Sequence, residues 1–284
     1  MKLIAIDLDG TLLSEDGTIS KANLDTLSEA QKQGHRLAIC SGRSHHDILQ
    51  ILRKYNIKAS IISGNGGVIY DKALIKRLVL PDHTVKEMID LAEHEQLFCE
   101  LYTNEGIIMK QSGRSMLEEE LAEQSKTLDS AVKAVYSREI TNLFNQHPIR
   151  FIADFRKTDF SALQIYKIGA ISYQKTKRDR FMAKLEGRHD ISITSGSLGT
   201  VEIGHPETNK GHGVSFLADY FKIPLEHTVA IGDNFNDIPM FKLAGISIAM
   251  ENAHDDVKNC AMHVTDAQNQ NGVAKAIKEY VLNC

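Results

Sequence analysis

The 284-residue sequence predicts an α/β fold, a doubly wound parallel sheet interrupted by an inserted α+β domain. Three observations carry that prediction. Short aliphatic runs that stop at Asp, Ser or Gly alternate with stretches of helical periodicity, the strand and helix rhythm of a parallel sheet. The rhythm breaks after Pro81 and resumes near residue 190, so residues 1–81 and 190–284 are expected to share one core, with residues 82–189 as the insertion. Length and composition agree: 284 residues with 42% hydrophobic and 25% charged side chains suit two ordinary domains, each with a sizeable core.

Taken in order, Leu3-Ile4-Ala5-Ile6 is a run typical of an interior strand covered on both faces. Ser20 is a helix N-cap, Leu24, Leu27 and Ala30 recur at helical spacing, and Gly34 is the stop. Leu37-Ala38-Ile39-Cys40 is a second strand, and Ser41-Gly42-Arg43-Ser44 opens a helix carrying Ile48, Ile51 and Leu52. Ile61-Ile62 precedes the turn Ser63-Gly64-Asn65-Gly66-Gly67, after which Val68-Ile69-Tyr70 and residues 76–80 read as a strand pair. Inside the insertion, polar helices over 85–95 and 117–124 accompany strands at Ile107-Ile108 and Tyr166-Lys167-Ile168. Thr228-Val229-Ala230-Ile231 and Ile246-Ser247-Ile248-Ala249 restore the strand pattern, and residues 272–282 form a last helix.

Composition excludes several classes of function. No apolar stretch is long enough to cross a bilayer, so no membrane partner is expected. Met1-Lys2-Leu3-Ile4 runs straight into the first strand, which leaves no room for a signal peptide, and a cytoplasmic protein is expected. Cys40, Cys99, Cys260 and Cys284 are scattered without CxxC spacing and read as reduced thiols, mostly packed. A net charge of −4 with no long basic tract gives no footprint for nucleic acid. A small anionic substrate stays open, because a pocket can be locally positive.

The chemistry gathers at predicted strand ends. Asp7 and Asp9, in Asp7-Leu8-Asp9-Gly10-Thr11, sit where ligands of open α/β sheets collect. One carboxylate there can attack phosphorus while its neighbour moves a proton to or from the leaving oxygen. The same pentapeptide also reads as an Asp-Gly turn, so its partners decide. Ser41 and the Gly42 amide, near a helix N-terminus, suit phosphate oxygens, although Ser alone is a common cap. Lys210 suits phosphate as a counter-charge, although a lone lysine is usually a solvated surface residue. In Gly232-Asp233-Asn234-Phe235-Asn236-Asp237, two acids cluster at another strand end. Mg²⁺ keeps waters and substrate oxygens, so Asp7, Asp233 and the Asp9 backbone carbonyl suffice to hold it. The competing reading is an Asx-rich turn with Asp237 capping the next helix.

Taken together, DxDGTL, Ser41-Gly42-Arg43, Lys210 and GDxxND, in this order and spacing, resemble the haloacid dehalogenase superfamily of aspartyl-phosphate phosphatases. The loop over 62–70 with Asn65-Gly66, and the insertion ahead of Lys210, resemble its Cof-type subfamily with a C2B-type cap. One departure is visible. A turn glycine usually precedes the lysine, whereas His205-Pro206-Glu207-Thr208-Asn209 here puts an acid near the expected pocket mouth.

The resemblance implies a Rossmann-like core, a cap that sets specificity, and a Mg²⁺-dependent phosphatase for small phosphorylated metabolites. It implies attack by Asp7 to give an aspartyl-phosphate while Asp9 protonates the departing alcohol, and then hydrolysis with Asp9 as base. Two carboxylates about 4 Å apart repel by roughly 4 kcal/mol at an effective dielectric near 20, so counter-charge from Mg²⁺ and Lys210 is required. Leu8, Ser41, Gly42 and Asn236 are then donors to phosphate oxygens, and Asp237 orients Lys210 or a metal-bound water. Sugar phosphates, flavin mononucleotide and pyridoxal phosphate all remain open as substrates. A phosphomutase or phosphotransferase of the same superfamily, and a non-catalytic phosphometabolite sensor, are the alternatives.

Several neighbours take a plainer expectation. Arg43, His45 and His46 follow Ser41 and could reach a leaving group, but early helical positions commonly carry solvated charges and that is the favoured reading; Cys40 reads as packed in the sheet. Asn65-Gly66-Gly67 is a turn requiring positive φ. Phe98, Tyr102, Phe151 and Phe155 read as core of the insertion.

Overall fold

The computed structural model describes residues 1–124, 128–160, 162–195 and 199–283. Cys284 lies outside the described residues; Cys40 and Cys99 are buried free thiols and Cys260 an exposed one. The chain divides into two compact units, Met1–Arg77 with Thr208–Cys284, and Leu78–Glu207.

The first unit begins with β1 (Leu3–Asp7), α1 (Lys21–Lys32), β2 (Arg36–Cys40), α2 (His45–Lys54), β3 (Ser60–Ser63), β4 (Val68–Asp71) and β5 (Ala73–Arg77). Ser20 caps α1 by accepting the Asn23 N–H at 3.2 Å, and Ser44 caps α2 through Asp47 in the same way. These bonds satisfy donors that a helix start leaves open. The strand expected over 76–80 lies earlier, at β5, because Leu80 belongs to the second unit: its N–H donates to Ile165 O at 2.8 Å.

The second unit comprises α3 (Asp82–His94), β6 (Phe98–Thr103), β7 (Gly106–Lys110), α4 (Gly113–Gln124), α5 (Ser130–Phe144), β8 (Ile149–Ile152), β9 (Lys167–Ile171), α6 (Lys175–Leu185), β10 (Ser192–Thr194) and β11 (Thr200–Gly204). Its strands form one sheet in the order β10-β11-β9-β6-β7-β8. The pairs are antiparallel except β7 with β8. Alternation splits its faces: Cys99, Leu101, Ile168, Ala170, Val201 and Ile203 pack with Val85, Met88 and Ile89 of α3 and Phe181 and Leu185 of α6. Glu100, Tyr102, Lys167 and Glu202 take the other face, where Lys167 pairs with Glu202. The insertion expected to end at 189 therefore continues to Glu207, since β10 and β11 pair with β9 and not with the core sheet. Of the aromatics expected in this core, Phe98, Tyr102 and Phe155 are buried, but Phe151 is 46% exposed, with its ring stacked on Phe144.

The chain then returns to the first unit through α7 (Lys210–Tyr220), β12 (Thr228–Gly232), α8 (Ile238–Phe241), β13 (Ile246–Met250), α9 (Asp255–Lys258), β14 (His263–Thr265) and α10 (Gly272–Ile277). The helix expected to reach 282 does so, as α-helix to Ile277 and as a π-helix over Lys278–Leu282. The sheet order is β14-β13-β12-β1-β2-β3-β4-β5, parallel from β14 to β3 and antiparallel beyond. Ile4 and Ile6 pack with Leu27 and Ala30 of α1, Ile48 and Leu52 of α2, and Val273 and Ile277 of α10. Leu3 and Ala5 face the opposite side, against Val214 and Leu217 of α7, Met240 and Phe241 of α8, and Val257 of α9. Both faces are covered, so β1 has to be apolar at consecutive positions. From β1 the chain winds outward to β2 and β3, and from β12 it winds the other way to β13 and β14. The switch point lies between β1 and β12, which is where such sheets place ligands.

Candidate active site

Asp7 is the last residue of β1, and Asp233 and Asp237 follow β12, its parallel neighbour, so the switch point brings these acids together. One carboxylate oxygen from each lies within 4.8 Å of the others. Lys210, the first residue of α7, is 1% exposed and stands among them, with Nζ at 2.6 Å from both Asp7 Oδ1 and Asp237 Oδ1. A lysine this deep stays charged only because it is paired. Burial opposes its charge, yet Asp237 and Asp7 hold its proton more tightly than usual.

The acids divide by how their oxygens are used. Asp237 Oδ2 accepts the N–H groups of Asp233 and Asn234, each at 2.9 Å, while Oδ1 faces Lys210. With both oxygens occupied it acts as a bracket for the turn and the lysine, and the helix α8 gets no side-chain cap from it. Asp233 Oδ1 accepts the Thr11 hydroxyl at 2.7 Å. Burial, then the nearby Asp237, pushes the Asp233 carboxyl up to about 6. Burial pushes Asp7 well above the usual carboxylate range; Lys210 opposes this, and Asp237 and Asp233 add to it. One ammonium thus faces three crowded carboxylates. This hard, oxygen-only, acid-rich donor set fits a divalent cation such as Mg²⁺.

The flanking loops supply the remaining predicted residues. Ser41, 2% exposed, follows β2; its N–H donates to Ile62 O at 2.8 Å and its Oγ accepts the Arg43 N–H at 3.2 Å. Gly42 separates the two, and Leu8 is fully buried with its carbonyl bonded to the Leu13 N–H at 2.8 Å. Asn236 Nδ2 donates to Asn65 Oδ1 at 3.1 Å, while its own Oδ1 is buried without a hydrogen-bond partner. Asn65 holds φ at 56°, and Gly66 follows at 105° with its Cα against the Asn209 carbonyl, so a side chain there would strike the residue before Lys210. That approach sets the 64–66 turn beside the start of α7. Gly10 does the same service at the other loop: at φ 83° it lets the backbone lie directly against the Asp233 carboxylate.

The side chain of Asp9 is paired outside the cluster of Asp7, Asp233, Asp237 and Lys210. Its carboxylate is turned to Arg43, whose Nε lies 2.8 Å from Oδ2 and Nη2 2.7 Å from Oδ1. Arg43 also bonds Asp47 Oδ2 at 2.6 Å. The expectation of a solvated Arg43 is therefore corrected: its guanidinium is a three-bond bridge to Asp9 and Asp47, a pairing with Asp9 that only the fold creates by setting the loops after β1 and β2 side by side. His45 departs likewise, being 8% exposed with its ring beside His46; burial, with His46 and Arg77 nearby, pushes it down to about 4. Thr11, given no part by the sequence, reaches Asp233 across the switch point. Its hydroxyl two residues after Asp9 was the available signal.

Comparison with known proteins identifies the family. Residues 4–277 match the family described as haloacid dehalogenase-like hydrolase. Phosphatase YwpJ of Bacillus subtilis is 32% identical over 283 residues, covering 98% of this chain and 99% of that protein. A second Bacillus subtilis protein, 5-amino-6-(5-phospho-D-ribitylamino)uracil phosphatase YwtE, is 32% identical over 282 residues and 98% of each chain. Among solved structures, a haloacid dehalogenase-like hydrolase from B. subtilis superposes with a TM-score of 0.87 at 31% identity, covering 99% of this chain and 100% of that one. One from Bacteroides thetaiotaomicron gives 0.78 at 27% identity, covering 98% of each. The chain belongs to the haloacid dehalogenase-like hydrolase family, as a phosphoric monoester hydrolase.

Proposed function

We propose that this hydrolase removes phosphate from small phosphorylated metabolites through an aspartyl-phosphate on Asp7. The observation that carries the reading is the buried bridge from Lys210 to Asp7 and Asp237 at 2.6 Å, which fixes one Asp7 oxygen and leaves the carboxylate aimed from a strand end. Asp7 attacks the phosphorus as the ester bond breaks, and Asp9 gives its proton to the departing alcohol. Water then attacks the phosphorus of the intermediate, giving a proton back to Asp9 and releasing Asp7. Ser41, the amides of Leu8 and Gly42, and Asn236 donate to the phosphoryl oxygens, where preorganised dipoles count most. Asp237 keeps Lys210 in place. Asp7, Asp233 and the Asp9 carbonyl are the residues to hold Mg²⁺. A bound Mg²⁺ supplies charge neutralisation at the phosphoryl oxygens.

The inserted unit, Leu78–Glu207, is proposed to set specificity. The substrate named for the YwtE relative, a phosphorylated ribitylamino-uracil, makes phosphorylated polyols and sugars the first class to try. The test is phosphate release from a broad panel of phosphorylated metabolites with Mg²⁺, including that compound, with the Asp7→Asn protein as blank. Release without an added acceptor is expected. Transfer only to a sugar hydroxyl would indicate a phosphotransferase, and tight binding without turnover a sensor.

A further inference from the structure

Asp9, where it stands, cannot act on a departing alcohol. One guanidinium occupies both its oxygens, through Arg43 Nε and Nη2 at 2.8 and 2.7 Å. The remaining arm of Arg43 is held by Asp47 at 2.6 Å. These two carboxylates differ in how firmly they are fixed. The Asp47 side chain is 9% exposed in the first turn of α2, and its N–H is tied to Ser44 Oγ at 3.2 Å. The Asp9 side chain is 52% exposed and is followed by Gly10. An exposed pair is screened by water and exchanges readily, whereas breaking a buried one strands a charge. Asp47 is thus the anchor and Asp9 the exchangeable partner. The two N–H groups on Asp9 form a fork that accepts a phosphoryl group as readily as a carboxylate. Arg43 also closes the Ser41-Gly42 loop, its N–H on Ser41 Oγ, beside the donors read as the phosphate cradle.

From this geometry we propose that Arg43 is a positioning residue that changes partners, holding Asp9 in the resting enzyme and passing the same two N–H groups to the incoming phosphoryl oxygens, which frees Asp9 for the leaving oxygen. The inference rests on the reading of Asp7 as nucleophile and Asp9 as its acid and base. The guanidinium is never left unpaired, because Asp47 stays bound and one anion replaces another. Once free of Arg43, the exposed Asp9 carboxylate takes up a proton from solvent; in the transfer step the Asp7 oxygen bonds to phosphorus as the ester bond to phosphorus breaks, and Asp9 gives that proton to the ester oxygen. A phosphate therefore competes with Asp9 for Arg43, and its apparent affinity is lowered by that competition.

The competition is measurable without turnover, by calorimetric titration of the full-length protein with inorganic phosphate in Mg²⁺ buffer. Asp9→Asn leaves Arg43 a neutral, poorer partner and should tighten phosphate binding about tenfold, while Arg43→Gln should weaken it about tenfold. In the Arg43→Gln background, Asp9→Asn should change affinity by less than about threefold, because no fork remains to be released. Arg43→Lys keeps the charge without the fork and should retain only part of the Asp9→Asn gain, which makes the result independent of how well Arg43→Gln folds. An equal gain from Asp9→Asn with and without Arg43 would overturn the proposal, because Asp9 would then act by charge repulsion alone; so would no gain at all. Phosphate release by the Asp7→Asn protein would instead overturn the nucleophile assignment and leave this binding cycle standing.

Discussion

At the scale of single residues, Lys210 is held on two sides, with Nζ at 2.6 Å from both Asp7 and Asp237. Among the described residues it is the cation bonded within this group of three acids, and removing one member of such a buried set costs about 3–5 kcal/mol because the partners keep their charge. Lys210→Met should therefore lower the urea unfolding free energy by about that amount in metal-free buffer and reduce phosphate release by at least about a hundredfold. Loss of activity with unchanged stability would show that the ammonium serves only the substrate. Asp7, Lys210 and Asp233 were legible in the sequence because each stands at a strand end or helix start marked by its neighbours. The pairing of Arg43 was not, since Asp9 is thirty-four positions away, in the loop after the neighbouring strand β1. Asp237 lay between: it read as a cap for the helix that follows, whereas one of its oxygens closes a capping box with Asn234 and the other serves Lys210.

At the scale of elements, the glycine turn after β3 fixes where α7 begins. Gly66→Ala would force a side chain into left-handed backbone against Asn209, and should cost about 2 kcal/mol and lower kcat/KM with it, read by urea unfolding and steady-state kinetics. A drop in stability alone would show that the turn does not position Lys210. On β6, burial pushes Glu100 up to about 7, against the attraction of Lys167 and the Tyr102 hydroxyl. The folded state thus binds this proton more tightly than the unfolded chain. Its contribution is complete below about pH 4.5, the ordinary value, and is lost as pH rises through about 7. That is on the order of 3 kcal/mol, and Glu100→Gln should flatten this part of the stability profile. An unchanged slope in the variant would place the titration elsewhere. Periodicity found β1, β2, β12 and β13 because strands buried on both faces are continuously apolar. It misplaced β5 and missed β10 and β11, which are short, carry polar residues, and take their place from pairing rather than from pattern.

At the scale of the molecule, the doubly wound sheet explains why residues from opposite ends of the chain meet. β1 and β12 are neighbours at the switch point, so Asp7, Asp233 and Lys210 converge although more than two hundred positions separate the first from the others. The insertion was legible as a change of rhythm, but its far boundary was not, because β10 and β11 look like any short strand until their partner β9 is known. Crowded carboxylates at the switch point favour a bound cation. Chelation should abolish phosphate release and lower the melting temperature, Mg²⁺ should restore both, and saturation at a hundred times the dissociation constant corresponds to about 2.7 kcal/mol. Full activity in excess chelator would remove the metal from the account. The central claim is that Asp7 carries the phosphoryl group. Acid-quenching the enzyme during turnover, followed by peptide mass spectrometry, should find the phosphoryl adduct on Asp7 in the wild-type protein and none in Asp7→Asn; an adduct on Asp9 with Asp7 unmodified would contradict it.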